Sequence, residues 1–169
     1  MEEIVNKVAN SSLVQIDLAS FYPQGKRTIF DLKPWLFQEL ILKENDFRKH
    51  LANHDWSQYQ DQYVSIECSA DVIIPSWAFL LISVALEPFA KKSAFGSQET
   101  LETVLFEDVF AHHDFSQYKN AMVIVKGCGS LPIPQQAYNN YISQLKPHAK
   151  SIMFGEPCSS VPLYRKPKK

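Results

Sequence analysis

The chain has 169 residues, 46% hydrophobic and 21% charged, with a net charge of −1 at pH 7; that length buries a core unaided, and the balance excludes both a disordered chain and a basic nucleic-acid-coating one. Three widely spaced cysteines argue against a disulfide framework. The longest apolar stretch, residues 72–86, is broken by Pro75, Ser76 and Ser83 and falls short of the about 20 residues of a membrane span, while Glu2, Glu3, Asn6 and Lys7 occupy the place of a signal-peptide core. The expectation is a single-domain cytoplasmic protein with neither nucleic acid nor membrane as partner.

In chain order, residues 1–41 come first. Val14, Ile16 and Leu18 alternate with Gln15 and Asp17 as in a half-buried strand, and residues 28–32 read as a second strand after the turn Tyr22-Pro-Gln-Gly25. Together they form an N-terminal strand or hairpin. Pro34 then suits the first turn of a short helix carrying Trp35, Leu36, Phe37 and Leu40.

From residue 42 the chain is written twice, as residues 42–96 and 101–155. Leu42, Phe47, Ala52, His54, Asp55, Ser57, Gln58, Tyr59, Val64, Ile74, Pro75, Ala78, Leu86, Pro88, Ala90, Lys91, Phe95 and Gly96 each return 59 residues later. These 18 matches stand against roughly three or four from ordinary residue usage. Such self-similarity marks one supersecondary unit used twice. Each copy reads helix, His-Asp-(Trp/Phe)-Ser-Gln-Tyr, buried strand, loop, Ile-Pro, helix, strand, Phe-Gly. In the second copy Leu101, Val104, Leu105 and Val109 make an amphipathic stripe behind Ser97, a good N-cap; in the first, Phe47 and Leu51 follow Asn45. Residues 156–169 read as a polar loop and a basic tail holding Arg165, Lys166, Lys168 and Lys169.

Strands alternating with helices imply right-handed crossovers. The fold class is α/β: a three-layer domain with a mostly parallel sheet, built from two tandem α-β-α-β repeats plus the N-terminal strand or hairpin. The two helices after Ile-Pro differ. Trp77, Phe79, Leu80, Leu81, Ile82 and Val84 make the first apolar nearly all round, which calls for burial on two sides or a subunit interface, and hence a homodimer. Ala137, Tyr141 and Leu145 give the second one stripe, with Gln135, Asn139, Asn140 and Gln144 outside.

Ligand sites of open α/β sheets lie beyond the carboxyl ends of the strands. Cys68, Cys128 and Cys158 all follow strands, so in one parallel sheet their thiols share an edge. Zinc favours thiolates at about 2.3 Å, with Asp71, His112 or His113 as a fourth ligand; the competing reading is that free cysteine is a small buried hydrophobe. Cys128, between Gly127 and Gly129 ahead of the helix at Pro134, also fits a nucleophile activated by a helix N-terminus. Gly127 to Ser130 could cradle an anion, although neither G-x-G-x-x-G nor a P-loop is present. Ser159 sits in the turn after the last repeat strand. The candidate site is therefore Cys68, Asp71, Cys128, Ser130, Cys158 and Ser159. The two His-Asp pairs invite an acid-base role, but their whole context is duplicated, as a fold-building cap would be.

The segments His-Asp-Trp-Ser-Gln-Tyr-Gln-Asp-Gln-Tyr-Val at 54–64, Cys-Ser-Ala-Asp at 68–71, Lys-Gly-Cys at 126–128 and Ala-Lys-Ser-Ile-Met-Phe-Gly-Glu-Pro-Cys-Ser-Ser-Val-Pro-Leu-Tyr at 149–164 resemble an uncharacterised bacterial protein family of the Bacteroidetes type. The resemblance covers nearly the whole chain and implies a small cytoplasmic protein, with no catalytic or binding residues to carry over. Two function classes follow: a homodimeric binding or structural module, favoured because the repeated positions are turn, cap and core residues, and a zinc- or cysteine-dependent enzyme working at the carboxyl edge of the sheet.

Overall fold

The computed structural model describes residues 13–127 and 129–167. In chain order the elements are β1 (Leu13–Ile16), β2 (Arg27–Asp31), α1 (Glu44–Asn53), β3 (Tyr63–Glu67), α2 (Ser76–Leu86) and β4 (Lys92–Phe95). They continue with α3 (Gln98–Ala111), β5 (Met122–Val125), α4 (Gln135–Leu145), β6 (Ser151–Glu156) and β7 (Ser159–Arg165). The architecture is α/β with mostly parallel strands. Two compact units divide the chain: one holds Pro23–Leu105, the other the segments before and after it.

Where the sequence implies one sheet, there are two. β2, β3 and β4 form a parallel three-stranded sheet in that order, and β1, β5 and β6 a parallel set to which β7 adds antiparallel. The N-terminal strands are not a hairpin. β1 pairs with β5 and β2 with β3, so each adds a parallel strand beside the first of the two strands that a repeat brings. The registers are equivalent: Arg27 lies opposite Tyr63 and Leu13 opposite Met122, which are repeat mates. Ile16-Asp17-Leu18 thus matches Phe30-Asp31-Leu32. Both aspartates make the same local bond: Asp17, the N-cap of its 3₁₀ turn, accepts at Oδ1 from Ala19 N at 2.9 Å, and Asp31, one residue ahead of the N-cap Leu32, accepts at Oδ1 from Lys33 N at 3.0 Å.

Two further readings are corrected. The short helix after Pro34 is only a 3₁₀ turn, Lys33–Trp35, since Gln38 and Glu39 take φ of 51° and 58° and leave the helical region. Residues 156–169 are not simply loop and tail, because β7 runs through them. Pro162 hides that strand in the sequence, and it is tolerated because β7 lies at the sheet edge.

Within the repeats, α2 and α4 begin and end 59 residues apart, as do the 3₁₀ turns Trp56–Tyr59 and Phe115–Tyr118. Ala78, Ile82 and Leu86 of α2 and Ala137, Tyr141 and Leu145 of α4 are the buried stripes, at the four-residue spacing of one helix face. They pack in separate cores with Val64 and Ile66 of β3 and with Val123 and Val125 of β5. Each fully buried Ile or Leu here contributes about 1.5–3 kcal/mol. Ser65 and Ile124, on the opposite faces of β3 and β5, are also fully buried, as central strands require. The recurrent Phe-Gly has a steric cause. Gly96 and Gly155 take φ of 114° and 116°, where a Cβ would stand 2.9 Å from Thr100 Oγ1 and 2.7 Å from the Ser159 carbonyl oxygen.

Candidate functional site

The duplicated His-Asp motif is built as a cap. Asp55 Oδ1 accepts from Ser57 N at 3.0 Å, Asp114 Oδ1 from Ser116 N at 2.9 Å, and each starts a 3₁₀ turn. His54 Nε2 meets Tyr59 Oη at 3.0 Å and His113 Nε2 meets Tyr118 Oη at 2.9 Å. Burial lowers both imidazole pKa values, against the pull of the neighbouring Asp55 and Asp114. In the second copy the chain of contacts continues inward, Tyr141 Oη donating to Tyr118 Oη at 3.1 Å. Burial, then the Tyr118 contact, pushes the Tyr141 hydroxyl far above its ordinary value. These groups hold helix end, turn and strand together.

The thiols do not end strands of one sheet. Cys68 follows β3 in the three-stranded sheet, whereas Cys158 sits in the β6–β7 turn of the four-stranded one, beside exposed Ser159. The shared edge inferred from the sequence required a single sheet. Cys128 lies outside the described residues, Ser130 is an exposed bend residue, and Asp71 is exposed on the loop after Cys68. His112 uses Nδ1 on the Asp108 carbonyl at 2.8 Å. No cluster of three His, Cys, Asp or Glu side chains suited to a metal occurs among the described residues. Gly127 is glycine for packing reasons, since a Cβ there would overlap the Phe154 ring.

At the carboxyl ends of β3 and β4 lies a cleft of about 330 Å³ walled by Cys68, Val72, Ile74, Phe79 and Phe95. Asp31, at the end of β2, anchors its loop: Oδ1 accepts from Ser69 N at 2.9 Å and Oδ2 from Ser69 Oγ at 2.6 Å. Burial works to raise the Asp31 pKa, but the bonds from Ser69 and Lys33 outweigh it and hold the carboxyl below its usual value. This is a structural clamp beside a half-buried thiol.

The sharpest contrast lies on the helices. Residues 77, 80, 81 and 84 share the outward face of α2 by helical spacing, and there Leu80 and Val84 are 55% and 72% exposed. Trp77 and Leu81 are half-buried beside them. The mates on α4 are Gln136, Asn139, Asn140 and Ser143. The helix ends differ too: exposed Glu87 caps α2, and exposed Lys146 caps α4.

The family model of a protein of unknown function (DUF2480) matches residues 2–166. The chain belongs to the DUF2480 family. No curated protein and no solved structure matches it. In this DUF2480 protein no helix among the described residues is long and apolar enough to cross a membrane. The all-round apolar reading of α2 was right about its composition; on its own chain, however, only the inner face is buried. The signal that sequence reasoning passed over was the comparison, position by position, of α2 with its repeat mate, including Glu87 against Lys146.

Proposed function

We propose that this DUF2480 protein is a binding and assembly module that works as a homodimer through the outer face of α2. One observation carries the reading: two helices of equal length, with the same buried stripe, differ on their outward faces. α4 meets the needs of the fold with Gln, Asn and Ser there, so the exposed Leu80 and Val84 of α2 answer to something other than folding, while Trp77 and Leu81 beside them also pack on the core, Trp77 against Phe47. Contiguous apolar surface on a soluble chain marks an interaction site. The placement in the cytoplasm follows the same reading, since Cys68 and Cys158 are unpaired thiols, as suits a reducing compartment.

The test exchanges surface without disturbing the core. Leu80→Asn with Val84→Ser installs the α4 residues at the same helical positions. Light scattering after gel filtration is expected to give a dimer for the wild-type chain and a monomer for the double variant, with unchanged circular dichroism. Losing two buried aliphatic contacts per copy weakens association by roughly 100-fold or more. Equal masses for the two proteins would overturn the proposal.

A further inference from the structure

Resting on the homodimer reading, we infer that the two copies pair through antiparallel α2 helices about a twofold axis passing between Leu80 and Leu81. The outward stripe 77, 80, 81 and 84 is centred on that point, so a twofold rotation brings Trp77 of one copy opposite Val84 of the other and sets the central leucines against each other. A short apolar stripe is covered fully only when the two stripes are centred together.

The charges choose the direction. Glu87 follows α2 at its negative pole, where a carboxylate is unfavourable; α4 carries Lys146 at the same place, the sign a helix C-terminus prefers. The N-terminus of α2 has no side-chain cap and no acidic residue in its first turn. Glu87 shares the helical face of Leu80, seven residues earlier, and lies about 10 Å along the axis from the stripe centre. The N-terminus of α2 lies about as far on the other side. Antiparallel pairing therefore brings each Glu87 to the uncapped amides of the other copy's α2, so that charges unfavourable in the monomer become complementary in the dimer. Parallel pairing would set the two Glu87 carboxylates together.

Cysteine crosslinking tests this in a chain whose Cys68, Cys128 and Cys158 are replaced by serine and whose dimer mass is first checked by sedimentation. Leu80→Cys is expected to give a disulfide-linked dimer in high yield under copper-phenanthroline. Val84→Cys is expected to give less than about a tenth of that yield, because its two copies are offset by about 10 Å along the axis, beyond the reach of a disulfide. Independently of any cysteine, Glu87→Lys in the otherwise native chain is expected to weaken the dimer by threefold or more at low salt. Stronger crosslinking at residue 84 than at residue 80 overturns the inference. So does a dimer that Leu80→Asn with Val84→Ser dissolves but that neither Leu80→Cys nor Glu87→Lys affects, which leaves the homodimer reading standing. A monomeric wild-type chain removes both.

Discussion

At the scale of single residues, Gln58 opposes protonation of His54. Its amide nitrogen donates to the Asp55 carbonyl at 2.7 Å and also faces His54 Nε2 at 3.1 Å, the ring nitrogen that Tyr59 Oη meets at 3.0 Å; an amide N–H only donates, so a proton on that nitrogen would point at a donor. Gln117 treats His113 in the same way, at 2.7 Å and 3.3 Å. Protonation would set donor against donor, in keeping with pKa values lowered from 6.5. The sign follows from proton counting: below pH 6.5 the unfolded chain binds more protons than the folded one, so the stability contributed is complete above pH 6.5 and drains as pH falls towards the folded values. Asp31 and Asp114, lowered from 3.8, lose their contribution only at still lower pH. The melting temperature is therefore expected to fall between pH 7 and pH 5, and His54→Gln with His113→Gln to flatten that slope; a wild-type profile already flat over this window would contradict the assignment. Ser65 gives a second check at this scale. Its hydroxyl is buried without a hydrogen-bond partner, at the place where the second copy has Ile124. Ser65→Ala is expected to leave stability unchanged or raise it by up to about 1 kcal/mol in a urea titration, and a clear loss would mean that the hydroxyl is satisfied.

At the scale of elements, the two Phe-Gly corners make the strongest demand on sequence. Gly155→Ala is expected to cost about 1–3 kcal/mol, because φ is 116° and the new Cβ would meet the Ser159 carbonyl oxygen at the start of β7. Gly96→Ala is expected to cost less, since the atoms it meets are side-chain atoms of Thr100 rather than backbone. Thermal unfolding of both variants decides this; equal, small effects would refute it. These corners were legible because the repeat prints them twice. The helix N-cap at Ser97 was legible as well, its Oγ accepting from Thr100 N at 3.3 Å. The equivalence of Asp17 with Asp31 was not. β1 precedes β2 in the chain yet belongs with the second repeat, so the matching pair stands 14 residues apart and shares only Asp-Leu, at 17–18 after Ile16 and at 31–32 after Phe30. No constant offset exposes a match whose order is exchanged. β7 was missed because proline within it argues against a strand until its position at an edge is known.

At the scale of the whole molecule, composition and periodicity gave the α/β class, because a repeated helix-strand order leaves few ways to cover apolar strands. The number of sheets was hidden, since it depends on which strand the N-terminal segments join, and local pattern carries no record of that choice. The site was the least legible part: the shared edge was drawn on one sheet, whereas Cys68 follows a strand of one sheet and Cys158 a strand of another. What the sequence did hold was an internal control, a second copy that shows at each position what the fold alone requires. Against that control the outer face of α2, with Leu80, Val84 and Glu87, is the departure, and assembly through it is the central claim. Sedimentation equilibrium of the unmodified chain over a concentration series tests it most directly, with Leu80→Asn plus Val84→Ser run alongside. The account predicts twice the chain mass at micromolar concentration for the wild type, and the single-chain mass for the variant. A wild-type chain that stays monomeric throughout, or a variant that stays dimeric, would contradict it.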